Sequence, residues 1–190
     1  MRRLLGRMLG VVPLLGTVHK INIFFIQYFR TVLNKMDNPL SDGDLHRMMP
    51  GIPVLKYSAL RNIQSLSDMP DKCFILLEWK KNSGHWVCFN KNTREYFNSL
   101  GEKFDCDVDS LTKSARIILG EDGDQFNRLL GTIPCTWNST KYQNDDSSTC
   151  GKHCIMRLQF GSTPAKYKKF MNQLKEEYGS YDDAVLALIK

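Results

Sequence analysis

Three apolar runs set close together constrain this chain more than any other feature. CFILLEW (73–79), HWVCFN (85–90) and EYFNSL (95–100) are rich in aromatic and β-branched residues, and only KKNSG and KNTR separate them. Connections that short join antiparallel neighbours, so the middle of the chain predicts a β-meander. Helical patterns surround it. Ser41 with Asp44 three residues later marks a capping box for a short helix closed by Pro50 and Gly51, and Tyr57–Gln64 reads as another short helix. Beyond Gly101, Val108–Leu119 and Asp124–Leu130 carry apolar residues at helical spacing, followed by a short strand, IPCTWNS (133–139). Three further helices are expected: from Cys150, from Pro164 behind Ser162 and Thr163, and from Tyr181 behind Ser180. The fold class is α+β, a small, mainly antiparallel central sheet flanked by helices.

At 190 residues, 42% hydrophobic and 24% charged, the chain has apolar side chains enough for one core. Its net charge of +6 is local. Six of the 26 lysines and arginines and none of the 20 acidic residues precede Asp37, so the remaining 20 basic side chains balance the 20 acidic ones. We therefore divide the chain into a basic, apolar N-terminal arm, 1–35, and a folded domain, 36–190. A broad nucleic-acid-binding face on the domain is disfavoured. In the arm, Arg7 interrupts the early apolar run and no small-residue cleavage site follows, against a secretory signal. Pro13, His19 and Lys20 break the one window long enough for a membrane span. An arm that contacts nucleic acid or an anionic membrane surface, a propeptide, or a non-native extension before Met36 all stay open.

The six cysteines (Cys73, Cys88, Cys106, Cys135, Cys150 and Cys154) read as free thiols of a reducing compartment, because a domain of this size and apolar content needs no disulfide framework. Cys150 has the most distinctive setting. In YQNDDSSTCGKHCIMRLQF, Ser147, Ser148 and Thr149 are good N-caps, Gly151 removes bulk beside the cysteine, and Cys154, Ile155 and Leu158 supply an apolar stripe. Cys150 thus starts a buried helix, where free N–H groups and the helix dipole favour a thiolate. An inert core cysteine fits that segment equally well. A zinc site built from Cys150, His153 and Cys154 with Cys106 or Cys135 is disfavoured, since structural zinc is held by spaced pairs of ligands from turns.

A nucleophile needs a base. Of the four histidines, His85 opens a strand behind Gly84, with Trp86 alternating to the other face, whereas His153 lies deeper along the Cys150 helix and has no evident orienting partner. Asn98, near the end of the next strand, returns beside His85 through the KNTR turn, where its carbonyl could accept the Nδ1 proton. Asn98-Ser99 as a plain turn before Gly101 fits that segment as well.

GHWV (84–87), FNSLG (97–101) and Gln143 seven positions before Cys150 resemble the cysteine proteases of the adenovirus-protease and Ulp1-like superfamily. The order His, Asn or Asp, Gln, Cys is that of the superfamily and runs opposite to papain-like enzymes. Adding LSDGDL (40–45), YSAL (57–60), CFILLEW and TCGKHC, the stretch 40–160 resembles the capsid-maturation proteases of virophages and Maverick-like or other large DNA viruses; the arm and the last 30 residues lie outside the resemblance. The resemblance implies an adenovirus-protease-like fold, Cys150 as nucleophile, His85 as base, Asn98 as its orienter, Gln143 as an oxyanion donor and Trp86 as a wall of the substrate cleft. It implies no metal and no organic cofactor. Substrates would be viral capsid or structural proteins cut at small residues, in the virion or the viral factory of the host cytoplasm. Many relatives carry Asp where Asn98 stands, and a neutral amide stabilises imidazolium less than a carboxylate does. Action on ubiquitin-like modifiers and a non-catalytic interaction module tethered by the arm are the competing readings.

Overall fold

The three apolar runs form the centre of a five-stranded sheet in the computed structural model, which describes residues 38–106, 111–121 and 123–190. The arm lies outside the described residues. β2 (Lys72–Lys80), β3 (Ser83–Asn90) and β4 (Glu95–Phe97) make the expected antiparallel meander. Two short strands lengthen it at the edges, and both pair in parallel: β1 (Val54–Lys56) on β2 and β5 (Thr136–Trp137) on β4. The sheet is therefore mixed: the antiparallel meander makes up most of it, and its two edge strands are parallel to their neighbours. The reason is connection length, since β1 reaches β2 through the 3₁₀ turns Tyr57–Asn62 and Leu66–Asp68, and a link that long lets the chain run back and enter in the same direction.

Both faces of the meander are covered, which explains its near-continuous apolar runs. Phe74, Leu76, Trp86, Cys88 and Phe97 face one side, where α4 (Cys150–Phe160), α5 (Pro164–Tyr178) and α6 (Tyr181–Leu188) pack. Cys73, Ile75, Leu77, Val87, Phe89 and Tyr96 face the other, beneath the Tyr57–Asn62 turn and α3 (Gln125–Leu130), whose Phe126 is fully enclosed. Each fully buried Ile, Leu or Phe contributes roughly 2 kcal/mol. α1 (Asp42–Met48) begins at Ser41 with the anticipated capping box, while α2 (Lys113–Leu119) begins at a Thr112 cap, later than expected; residues 107–110 lie outside the described residues.

Helix α4 is central, buried from Cys150 to Leu158. Its depth against the sheet is fixed by Arg157, which donates from Nε to Glu95 Oε1 on β4 at 2.8 Å, from Nη2 to Glu95 Oε2, and from Nη2 to the Ser162 carbonyl at 2.7 Å. Its N-terminal end meets Leu40: a Cβ on Gly151 would stand 3.2 Å from that side chain, so the glycine lets the segment before α1 close over the start of the helix. Gly84 is tighter still, because a Cβ there would fall 1.8 Å from the Leu77 carbonyl oxygen beside the β2 irregularity at Glu78–Lys80.

Candidate active site

β3 outruns β4. Their ladder ends at Cys88↔Phe97, which leaves 83–87 without a β4 partner, and the polar residues gather at this free edge. The expected strand 95–100 stops at Phe97 because Asn98 turns its backbone to another partner: its N–H donates to Asn138 Oδ1 at 2.8 Å, and Asn138 Nδ2 donates back to the Asn98 carbonyl at 2.6 Å. This two-way grip holds Asn98, fully buried, beside His85.

The His85–Asn98 bond is present, 2.9 Å long, but it uses the other ring nitrogen: Nε2, not Nδ1, faces Asn98 Oδ1. The same oxygen accepts the Leu100 backbone N–H at 2.9 Å, and this second bond fixes which end of the amide is the oxygen. With an acceptor opposite it, Nε2 carries the proton. The neutral ring therefore presents its lone pair at Nδ1, the tautomer a general base needs. Trp79, half exposed, lies parallel to His85 at an 8° interplanar angle with centroids 6.2 Å apart, and covers the ring on its outer side.

Gln143 joins the pair through Ser99. The Ser99 hydroxyl donates to Gln143 Oε1 at 2.7 Å, and the Ser99 carbonyl accepts the backbone N–H groups of Tyr142 and Gln143. With the oxygen engaged, Nε2 turns to the Ser147 carbonyl at 2.8 Å, and its second hydrogen is a further donor. Cys150 is the first residue of α4, buried and outside any disulfide. It opens on a cleft of about 370 Å³ whose walls include Leu40, Leu76, Ser83, Gly84 and Trp86. Gly84 and Trp86, the neighbours of His85 on β3, line this cleft; His85 itself stands between them and is not one of its lining residues. Trp86 is a buried wall of it, its indole N–H donating to the Leu40 carbonyl at 2.8 Å.

The N-cap expectation needs a correction. Thr149 is the N-cap residue of α4 but makes no side-chain capping bond; its hydroxyl donates to Asp182 on α6 instead. His153 also has the partner that the sequence did not reveal, since its Nε2 lies 3.0 Å from Asp182 Oδ1. His153 is fully buried and is not part of the cleft lining. Asn138, Ser99, Trp79 and Asp182 are thus four residues of the site that sequence reasoning missed. Ser99 and Trp79 carried a signal, standing inside FNSLG and CFILLEW. Among the described residues no three His, Cys, Asp or Glu side chains gather as metal ligands.

Burial holds the His85 pKa down to about 4, against the weaker opposing pull of Asn98 and Glu102. The folded protein therefore keeps His85 neutral where an unfolded histidine, with a pKa near 6.5, is protonated. Between those values the unfolded chain binds the extra proton, so this contribution to stability is complete above about 6.5 and is lost as pH falls toward 4, at about 1.4 kcal/mol per pH unit. Glu121, raised by burial to about 7, acts in the opposite sense across much of the same range. The His85 contribution is thus read as a difference: urea unfolding at pH 7 and pH 5 should show the wild type losing about 2 kcal/mol more than His85→Gln on acidification. Equal losses would contradict a buried neutral His85.

No known protein family description matches the chain, and no solved structure matches it. Among curated proteins it is similar to the uncharacterized protein V9 of Sputnik virophage, 28% identical over 162 residues, which cover 79% of this chain and 93% of that protein. The likeness spans most of both chains and relates this one to a virophage protein.

Proposed function

We propose that the chain is a viral cysteine endopeptidase of adenovirus-protease-like fold, acting on capsid or other structural proteins during virion maturation. The observation that carries this reading is the Asn98 side-chain oxygen bonded at once to Leu100 N–H and to His85 Nε2, which leaves Nδ1 as the basic atom of a ring whose neighbours Gly84 and Trp86 line the cleft that Cys150 opens on. Similarity to a virophage protein supports the viral setting.

In this mechanism His85 Nδ1 takes the Cys150 thiol proton and the thiolate sulfur bonds to the substrate carbonyl carbon. The oxyanion is held by the free hydrogen of Gln143 Nε2 and the Cys150 backbone N–H at the start of α4. The imidazolium then gives its proton to the departing amine as the C–N bond breaks. Water, deprotonated by His85, attacks the thioester, releases the acid and restores the thiol. Cleavage at small residues is what the resemblance to the viral maturation proteases implies, and Gly84 and Trp86 line the cleft that such a substrate would enter.

The test is to incubate the wild-type chain and Cys150→Ala with virophage structural proteins and, in parallel, with ubiquitin-like fusions, and to identify products by mass spectrometry. Cuts in the structural proteins beside Gly or Ala, absent with the variant, are the expected result. Cleavage of the fusions alone would move the activity to modifier processing, and intact substrates in both arms would leave the domain an interaction module.

A further inference from the structure

The loop between Gln143 and Cys150 carries an oxyanion donor at one end and the nucleophile at the other, and a single carboxylate from a distant helix grips it. We propose that Asp182 is a positioning residue that holds this loop in the geometry needed for oxyanion binding, an inference that rests on the peptidase reading. Asp182 Oδ2 accepts the Asn144 N–H at 2.9 Å. Its Oδ1 accepts the Ser147 hydroxyl at 3.2 Å, the Thr149 hydroxyl, and His153 Nε2 at 3.0 Å. The carboxyl is buried, and these donors satisfy the charge it retains.

The connection to the chemistry runs through Ser147. Its hydroxyl sits among Asp182 Oδ1 at 3.2 Å, Thr149 Oγ1 at 3.0 Å and the Asn144 carbonyl at 3.1 Å, and Asp182 also accepts from Thr149 and from the Asn144 N–H; its carbonyl accepts Gln143 Nε2, so the position of the amide that donates to an oxyanion depends on the loop this carboxylate holds. At the other end, Asp182 draws the Thr149 hydroxyl away from the capping position, so the N-cap side chain does not occupy the N–H groups of the first turn of α4, the turn that begins with Cys150. His153 belongs to this support. Its Nε2 is engaged by Asp182, its Nδ1 is enclosed without a hydrogen-bond partner, and the ring is fully buried, so it anchors the carboxylate to α4 and does not serve as a second base.

A positioning role and a merely structural one differ in their coupling to Gln143. In the full chain, kcat and KM for a peptide substrate are measured for Gln143→Ala, Asp182→Asn and the double variant. Gln143→Ala should lower kcat about 100-fold, as loss of an oxyanion donor does. Asp182→Asn should lower kcat about 10- to 100-fold with KM nearly unchanged, since a displacement near 1 Å is enough for that loss. The double variant should be little worse than Gln143→Ala alone, because a misplaced amide that has already been removed costs nothing more. Should Asp182→Asn fail to fold, Ser147→Ala removes one grip, keeps the carbonyl that receives Gln143, and should show a smaller loss with the same non-additivity. Multiplicative losses, or full kcat in Asp182→Asn, overturn the positioning role while leaving the peptidase reading intact. A wild-type chain without Cys150-dependent turnover overturns that reading and this inference with it.

Discussion

Cys150→Ala is expected to abolish peptide turnover, a fall of at least about 10⁴-fold, with the thermal unfolding midpoint near that of the wild type. In the proposed mechanism the acyl group is carried by the Cys150 sulfur, and alanine preserves the helix there. Cys154→Ala provides the contrast. Cys154 is fully enclosed, its thiol donates to the Trp86 carbonyl at 3.3 Å, and burial raises its pKa well above the usual thiol range, so it is neither accessible nor easily ionised. Its loss should cost about 1–2 kcal/mol of stability and leave most of the activity. Substantial turnover by Cys150→Ala, measured with enzyme free of wild-type contamination, would remove the nucleophile from the account.

His85→Ala should lower kcat by about 10³-fold or more, because in the proposed mechanism both the removal of the thiol proton and the protonation of the leaving amine pass through this ring. Asn98→Ala should cost about 10- to 100-fold: the ring remains, but the bond that fixes Nε2 as the protonated nitrogen is gone, and part of the population presents the wrong tautomer. Asn98→Asp keeps an acceptor for both Leu100 N–H and His85 Nε2 and adds a charge that favours imidazolium. It should retain activity within a few-fold and move the acid limb of the pH–rate profile upward. Steady-state kinetics of the three variants from pH 4 to 9 test this ordering. A lethal His153→Ala beside an active His85→Ala would reverse it.

The meander, the capping box at Ser41 and the helix starts at Cys150, Pro164 and Tyr181 were legible because each depends on residues close in sequence. What escaped depends on distant ones. β1 is three residues long and exists by virtue of the strand it pairs with, so no local run announces it, whereas β5 falls inside the strand expected over 133–139 and keeps two residues of it, Thr136–Trp137. β4 is short because Asn138, 40 residues away, takes Asn98 out of the ladder. Thr149 has the chemistry of an N-cap, yet a carboxylate 33 residues further on takes its hydroxyl. The residue types at His85, Asn98, Gln143 and Cys150 pointed to a shared chemistry, but that His85 meets Asn98 through Nε2 follows only from the fold, and that the atom it meets is the amide oxygen follows from the turn that brings Leu100 N–H to it. Asp182 stood beyond the stretch that resembles known proteases, and its role appears only where α6 packs on the loop before α4.

The central claim is that Cys150 is an activated nucleophile, and the chain supplies its own control. Cys106 is exposed, whereas Cys150 is buried beside the cleft. An electrophile that reacts by accessibility alone modifies Cys106 first, while one that requires an activated thiolate and a substrate-like approach modifies Cys150. The measurement is peptide mapping by mass spectrometry after brief exposure of the full chain to a peptidyl vinyl sulfone ending in glycine at the reactive position. The account predicts one adduct, on Cys150, lost in His85→Ala. Labelling of Cys106 in its place, or equal labelling of Cys150 with and without His85, would contradict it.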